Sequence, residues 1–150
     1  AIHDDYWPSG WLIRDVLINQ NNYQEALDRL NNTKLMAPVY YILGGTKYPQ
    51  GAVVTRAQEE SYNLWLLENS YLKWYNVETN YDWWTPAPTN DDRRDPAIKA
   101  MDNMGQTSLT QMNLYNEVMS QNPVLNDNTI YTTIMSAGNE SAFYIRNRFP

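Results

Sequence analysis

The stretch VETNYDWWTPAPTNDDRR, residues 77–94, is the part of the sequence around which the rest is organised. Aromatic and β-branched residues from Trp74 to Thr79 predict a strand that ends at Asn80. Two prolines stiffen the loop behind it and exclude helix there, and the run closes on two aspartates and two arginines. Polar groups at a strand end beside large aromatics are typical of a site, although a structural loop before a helix has the same composition.

Upstream of this stretch the periodicity predicts two helices and then four strands. The first helix covers residues 11–20, and the second begins behind a capping box formed by Asn22 and Glu25. Short apolar runs separated by glycine, proline and asparagine predict antiparallel strands at residues 39–43, 52–56, 62–67 and 72–79.

Downstream the signals predict two more helices and a final hairpin. Asp95 is suited to cap the first of these helices, with Pro96 at its first position and Gly105 at its end. Ser108 and Gln111 predict a capping box for the second, whose methionine-rich face suits either core packing or a lipid-facing surface. Strands at residues 129–136 and 142–146 close the chain, and the whole order predicts a layered α+β domain.

Composition excludes several functional classes. The formal net charge is -6, with 17 acidic against 11 basic residues, which argues against a nucleic-acid partner. Hydrophobic residues make up 43% of the chain, and no apolar run is long enough to span a bilayer. The chain has no cysteine and one histidine, His3, so it offers no thiolate, no Ser-His-Asp triad and no convincing metal site. We expect no metal and no cofactor.

Two N-glycosylation sequons begin at Asn31 and Asn139, and we expect both asparagines to lie on exposed turns. If they are used, the chain is lysosomal or secreted. No signal peptide opens the sequence, so we expect one to have been removed.

Motifs along nearly the whole chain from Trp11 onward resemble one family. They are WLIR at residues 11–14, VYYILGGT at 39–46, VVTR at 53–56, TNYD at 79–82, PAP at 86–88, DDRR at 91–94, AIKA at 97–100 and TIYTTIMSAG at 129–138. Together they resemble the family of N-acylethanolamine-hydrolysing acid amidase and acid ceramidase.

The resemblance implies a fold and a place in a larger protein. The fold is the αββα sandwich of N-terminal-nucleophile hydrolases, in which mostly antiparallel sheets are flanked by helices. Residues 1–150 would then be a single-domain fragment, the C-terminal part of the catalytic β-subunit, completed by another chain of the same processed precursor.

The resemblance also implies roles for individual residues. Asn80 corresponds to the family asparagine that donates its amide to the oxyanion, and Arg93 to the arginine near the nucleophile, while Asp91, Asp92 and Arg94 are expected to form structural ion pairs. Trp83 and Trp84 would line the channel for an acyl chain or serve as ordinary packing.

The family nucleophile is an N-terminal cysteine, which this chain lacks, because Ala1 carries no nucleophile. Two hypotheses follow. The chain is a subunit of an amidase that hydrolyses fatty-acid amides, with the cysteine at the start of a partner chain, or it is a non-catalytic lipid-binding or structural relative. Peripheral contact with membrane lipid is a further partner that such a substrate allows.

Overall fold

The computed structural model describes residues 5–148 and divides into two compact units, one up to Asn76 and the other from Val77 onward. The first unit consists of helices α1 (Ser9–Asn19) and α2 (Tyr23–Asn32), strands β1 (Val39–Gly44), β2 (Gly51–Arg56) and β3 (Ser61–Leu66), and a 3-10 turn at Leu67–Asn69. The strands form one antiparallel sheet in the order β1-β2-β3, so the first three predicted strands are confirmed.

Helix α2 begins where the capping signal places it. The Asn22 side chain accepts a hydrogen bond from the Glu25 backbone N–H at 3.0 Å, and the Glu25 carboxylate accepts from the Asn21 N–H at 3.1 Å. The apolar side of this helix packs with α1 and one face of the sheet in a single core, whose buried members are Leu12, Val16, Ala26, Leu27, Leu30, Leu35, Tyr41, Ala52 and Val54.

A buried arginine ties the sheet to the end of α2. Arg56 is 1% exposed, and its guanidinium donates to the carbonyl oxygens of Leu30 and Thr33, both at 2.7 Å, and of Glu60 at 3.1 Å. The last carbonyls of a helix have no partner within it, so this side chain supplies donors that the helix end needs.

The fourth predicted strand, residues 72–79, does not form. Lys73 has a positive φ of 73°, a conformation that no strand ladder accommodates. The Ser70 hydroxyl donates to the Tyr75 carbonyl at 2.8 Å and accepts from the Leu72 N–H at 3.2 Å, closing a local turn. Local side-chain bonds therefore replace the ladder that the aromatic and β-branched composition predicted.

The second unit contains helix α3 (Arg94–Met104), a 3-10 turn (Gln106–Ser108), a short helix α4 (Gln111–Asn113) that runs into a π-helix (Leu114–Met119), and strands β4 (Tyr131–Ser136) and β5 (Asn139–Asn147). Gly105 ends α3 with a φ of 72°, as predicted. The predicted start is wrong, because the helix begins at Arg94 behind the N-cap Arg93, and Asp95 lies inside it; the Asp92 carboxylate satisfies a first-turn donor by accepting from the Asp95 N–H at 3.1 Å.

The capping box predicted at Ser108 and Gln111 is also wrong. The cap is Thr110, whose hydroxyl accepts from the Asn113 N–H at 3.0 Å. The methionine-rich face predicted for this helix is not buried as a core face would be: Met112 is 56% exposed and Met119 is half-buried.

Strands β4 and β5 form the predicted final hairpin, a second antiparallel sheet. Met135 pairs with Phe143, and Thr133 pairs with Ile145. This face carries exposed apolar side chains, while Thr132 and Ile134 on the other face are buried. The α+β class with antiparallel sheets is thus confirmed, and no helix within residues 5–148 is long and apolar enough to cross a membrane.

Candidate active site

Asn80 is exposed and lies in an irregular, otherwise half-buried segment and not at the end of a strand. The turn that replaces the predicted fourth strand leaves residues 74–79 without a ladder, so the chain reaches Asn80 in coil. The position of this side chain therefore depends on its own contacts rather than on a sheet.

The structure brings Asn80 and Arg93 together. The Arg93 guanidinium donates through Nη2 to the Asn80 side-chain oxygen, and through Nε and the same Nη2 to the two carboxylate oxygens of Asp91, at 2.8 and 3.1 Å. A two-point ion pair fixes the plane of a guanidinium. Because the Asn80 oxygen is occupied as an acceptor, its NH₂ group is the part of the side chain that remains to donate to another molecule.

Arg94 does not pair with Asp91 and Asp92 as the sequence suggested. It is 7% exposed, and its guanidinium donates to the carbonyl oxygens of Asp82 at 3.2 Å, Trp83 at 3.1 Å and Thr85 at 2.7 Å. Its remaining ion pair is with Asp95, at 3.5 Å. The loop behind Asn80 is therefore wrapped around this cation, because a planar group with five donors can serve several carbonyls at once.

Tyr81 adds a second contact to the same cation. The Arg94 guanidinium lies 4.8 Å from the centroid of the Tyr81 ring, and the Tyr81 hydroxyl accepts from the Arg94 backbone N–H at 3.4 Å. Tyr81 of the TNYD motif and Arg94 of the DDRR motif are thus joined, which holds the start of α3 close to the segment that contains Asn80.

The two tryptophans contact each other edge to face, with ring centroids 5.5 Å apart and planes at 89°. Trp83 is half-buried and Trp84 is 38% exposed. They form an apolar surface on the loop that Arg94 holds.

Glu78 is the residue at this site that the sequence analysis missed. Burial raises the pKa of its carboxyl to about 7; the hydrogen bond from the Thr79 N–H and the charge of Arg94 lower the pKa, and the charge of Asp82 raises it. Glu78 lies in the stretch 72–79 that was predicted as a strand, and its residue type alone holds no signal for a buried carboxyl.

The two sequons differ in environment. Asn139 is exposed, as expected, but it is the first residue of β5 and follows directly after a two-residue turn. Asn31 contradicts the expectation of an exposed turn, because it lies half-buried inside α2, and the sequon's Thr33 is buried with its hydroxyl donating to the Arg29 carbonyl at 2.7 Å. The Asn-Asn-Thr run is where α2 ends, with Asn32 as its last residue and Thr33 as its C-cap, so the sequon begins in the last turn of the helix.

Within residues 5–148 no group of three or more histidine, aspartate or glutamate side chains could hold a metal ion. His3 lies outside the described residues. A cavity of about 250 Å³ in the first unit and one of about 220 Å³ in the second are lined by neither Asn80 nor Arg93.

Comparison with known proteins gives matches along most of the chain, although no family model matches it. The chain is 45% identical over 143 residues to N-acylethanolamine-hydrolyzing acid amidase of Oryctolagus cuniculus, which covers 95% of this chain and 40% of that protein. It is 44% identical over 126 residues to acid ceramidase of Mus musculus, covering 84% of this chain and 32% of that protein. The chain therefore spans well under half the length of these relatives.

A solved structure shares the fold. The Caenorhabditis elegans N-acylethanolamine-hydrolyzing acid amidase ortholog matches with a TM-score of 0.76 and 36% identity, covering 88% of this chain and 55% of that one. The predicted N-terminal-nucleophile hydrolase fold is thereby confirmed. Agreement of sequence and fold along nearly the whole chain makes it a member of the family of N-acylethanolamine-hydrolysing acid amidase and acid ceramidase.

Proposed function

We propose that this chain is part of an amidase that hydrolyses fatty-acid amides of the N-acylethanolamine or ceramide type. The observation that carries the proposal is the contact between Arg93 and the Asn80 side-chain oxygen, within a chain similar to acid amidases and acid ceramidases. Thirteen positions separate these residues, so folding and not sequence proximity puts them in contact.

In the proposed reaction Asn80 stabilises the oxyanion. Attack on an amide carbonyl moves negative charge onto its oxygen, and a donor already aimed at that place lowers the barrier. Arg93, itself paired with Asp91, donates to the Asn80 oxygen, which leaves the two amide hydrogens for the substrate. The residue would act on the transition state more than on the bound substrate.

The nucleophile would be an N-terminal cysteine on a partner chain of the same precursor. Its thiol would attack the amide carbonyl, with its own α-amino group taking the proton. Arg93, with 26% of its side chain exposed, would favour the thiolate form of that cysteine. This division explains how a chain without cysteine can belong to an amidase.

Trp83 and Trp84 would contact the acyl chain. They present two perpendicular rings beside Asn80 in sequence, and a channel for a fatty-acyl chain needs broad apolar walls near the carbonyl site.

Exposed apolar side chains on one sheet support the proposal that a partner chain packs against it. In the second unit Met135, Phe143 and Ile145 are 68%, 59% and 51% exposed on one face of the β4-β5 sheet. A contiguous apolar sheet face is uncommon on a free surface. The occupant we propose is the remainder of the same precursor, since the amidase relative is more than twice as long as this chain.

We place the assembled protein in the lysosome or the secreted fraction, as a glycoprotein formed by autoproteolytic processing. The exposed sequon at Asn139 supports this compartment.

The test of the proposal is turnover of an N-acylethanolamine by the complete precursor after processing. Asn80→Ala should lower kcat by about two to three orders of magnitude with little change in KM, because the lost donor acts on the transition state. Asn80→Asp should be as slow, since it keeps an oxygen acceptor for Arg93 but has no amide hydrogen.

Asn90→Ala is the matched control, because this asparagine is exposed in the same loop and should leave kcat unchanged. Wild-type turnover in the Asn80 variants would overturn the assignment of the oxyanion donor. A processed protein with no amidase activity in any form would favour the non-catalytic, lipid-binding alternative.

A further inference from the structure

The two oxygens of the Glu78 carboxyl differ in their hydrogen bonding. Its Oε1 accepts from the Thr79 backbone N–H at 2.9 Å, while its Oε2 is buried and has no hydrogen-bond partner among residues 5–148. An ionised carboxylate accepts several hydrogen bonds, and leaving one of its oxygens buried without a donor is costly.

A second buried oxygen lies on the next residue. The Thr79 hydroxyl oxygen is also buried and without a hydrogen-bond partner in the described part of the chain. Two consecutive polar side chains in this state are unusual, because nearly all buried polar atoms in proteins are paired. They stand directly before Asn80, the proposed oxyanion donor.

We propose that Glu78 is a positioning residue for Asn80, whose segment holds Asn80 in place while the Glu78 carboxyl is neutral and shifts when that carboxyl ionises. Residues 77–79 contain no helix or strand, so no ladder of hydrogen bonds resists their displacement, and side-chain contacts with Arg93 and Arg94 determine where residues 80–82 lie. Because Glu78 and Asn80 are only two residues apart in the chain, a displacement of Glu78 also displaces Asn80.

The charges around Glu78 determine the direction of the effect. Asp82 repels an ionised Glu78, and Arg94 attracts it, but the Arg94 guanidinium donates to the carbonyls of the 82–85 loop. Neither neighbour supplies the missing donor to Oε2. The neutral acid is therefore the form that the folded segment accommodates.

The sign of the pH dependence follows from the raised pKa. In the unfolded chain Glu78 has its ordinary pKa of 4.5, and in the folded protein the pKa is about 7. The folded state binds the proton more tightly, so this group's contribution to stability is complete below pH 4.5 and is lost as the pH rises through 7. Above that range the folded protein contains a buried charge.

The experiment compares the complete, processed protein with its Glu78→Gln variant, which mimics the neutral acid. Melting temperatures between pH 4.5 and 8 should show the wild type losing stability relative to the variant as the pH rises. Turnover should change in the same way: the ratio of variant to wild-type kcat should increase about tenfold between pH 5 and pH 8, since one pH unit above its pKa about a tenth of the acid remains neutral.

Glu117→Gln is the control, because this glutamate is exposed and its variant should follow the wild type at every pH. Parallel profiles for Glu78→Gln and the wild type would overturn the proposal. If Glu78→Gln does not fold, ¹³C NMR titration of the wild-type carboxyl decides: a midpoint near 7 supports the proposal and one near 4.5 contradicts it.

The effect on turnover rests on the proposed function, whereas the melting comparison does not. A protein without amidase activity would refute the amidase assignment. The pH-dependent difference in melting temperature would still test whether Glu78 holds its segment through the neutral carboxyl.

Discussion

At the scale of single residues, two neighbouring arginines have different environments. Arg93 is partly exposed and contacts Asn80 and Asp91, whereas Arg94 is buried and contacts backbone carbonyls. The difference has a simple origin: α3 begins at Arg94, and successive positions of a helix point in different directions. One arginine is thus available for chemistry, and the other holds the loop.

We expect Arg94→Ala to lower the free energy of unfolding by about 3 kcal/mol or more. The substitution removes charge-assisted hydrogen bonds to three carbonyls and leaves those acceptors in a buried place. Arg94→Lys should recover only part of the loss, because an ammonium group lacks the planar fork that serves three carbonyls. Urea denaturation of the processed protein measures both changes.

The control is the adjacent substitution, Arg93→Ala, which should cost below about 1 kcal/mol, since its ion pair with Asp91 is partly solvated. Its effect should appear in turnover and in precursor processing instead. Equal loss of stability in the two variants would contradict the division of roles between them.

Sequence reasoning identified two candidate residues that the fold brings into contact, but not the partners of their neighbours. The motifs pointed to Asn80 and Arg93, and the structure brings those two side chains together. Glu78 and the carbonyl contacts of Arg94 were missed, because burial and backbone acceptors leave no signature in residue type. The aspartates beside Arg94 in the sequence suggested an ion pair, whereas in the fold its guanidinium donates to backbone carbonyls of residues 82, 83 and 85.

At the scale of elements, the sequence predicted which helices form better than it predicted the residues that cap them. Asn22 caps α2 and Gly105 ends α3, as predicted. The Asp92 carboxylate accepts from a first-turn N–H of α3, a role predicted for Asp95, and Thr110 takes the capping role predicted for Ser108. The fourth strand failed because Ser70 offered its backbone a local turn.

The element that contains each sequon leads to a prediction about glycosylation. We expect Asn139 to carry a glycan and Asn31 to carry none when the processed protein is made in cells with a secretory pathway. A glycan needs an exposed attachment point, which the turn before β5 provides, whereas Asn31 is half-buried within α2 and its Oδ1 is buried.

Intact mass after Asn139→Gln and after Asn31→Gln measures the occupancy of each position. Only the first substitution should remove the mass of one glycan. A glycan found at Asn31 alone would contradict the prediction, and a bare protein would count against the lysosomal or secreted assignment.

At the scale of the whole molecule, both compact units expose groups of large apolar side chains. In the first unit the outer face of α1 presents Trp11, Leu17 and Ile18, which are 69%, 79% and 69% exposed. In the second unit the β4-β5 face adds three more large apolar side chains. Because exposed apolar surface favours association in water, we expect another polypeptide chain to bury these side chains in each unit.

We therefore predict that the 150-residue chain alone self-associates, and that it becomes a defined, soluble complex when it is produced with the rest of its precursor. Light scattering coupled to size-exclusion chromatography distinguishes these states.

On the chain alone, Phe143→Ser with Ile145→Thr should reduce self-association, because both changes act on the exposed side of β5 and leave its buried side intact. In the complex the same pair should weaken association, since it removes apolar area that the partner covers. Glu140→Gln, on the same strand, changes no apolar area and should alter neither state. A folded, monodisperse monomer of the wild-type chain would contradict the prediction, because it would mean that these faces need no cover and that the chain is complete as it stands.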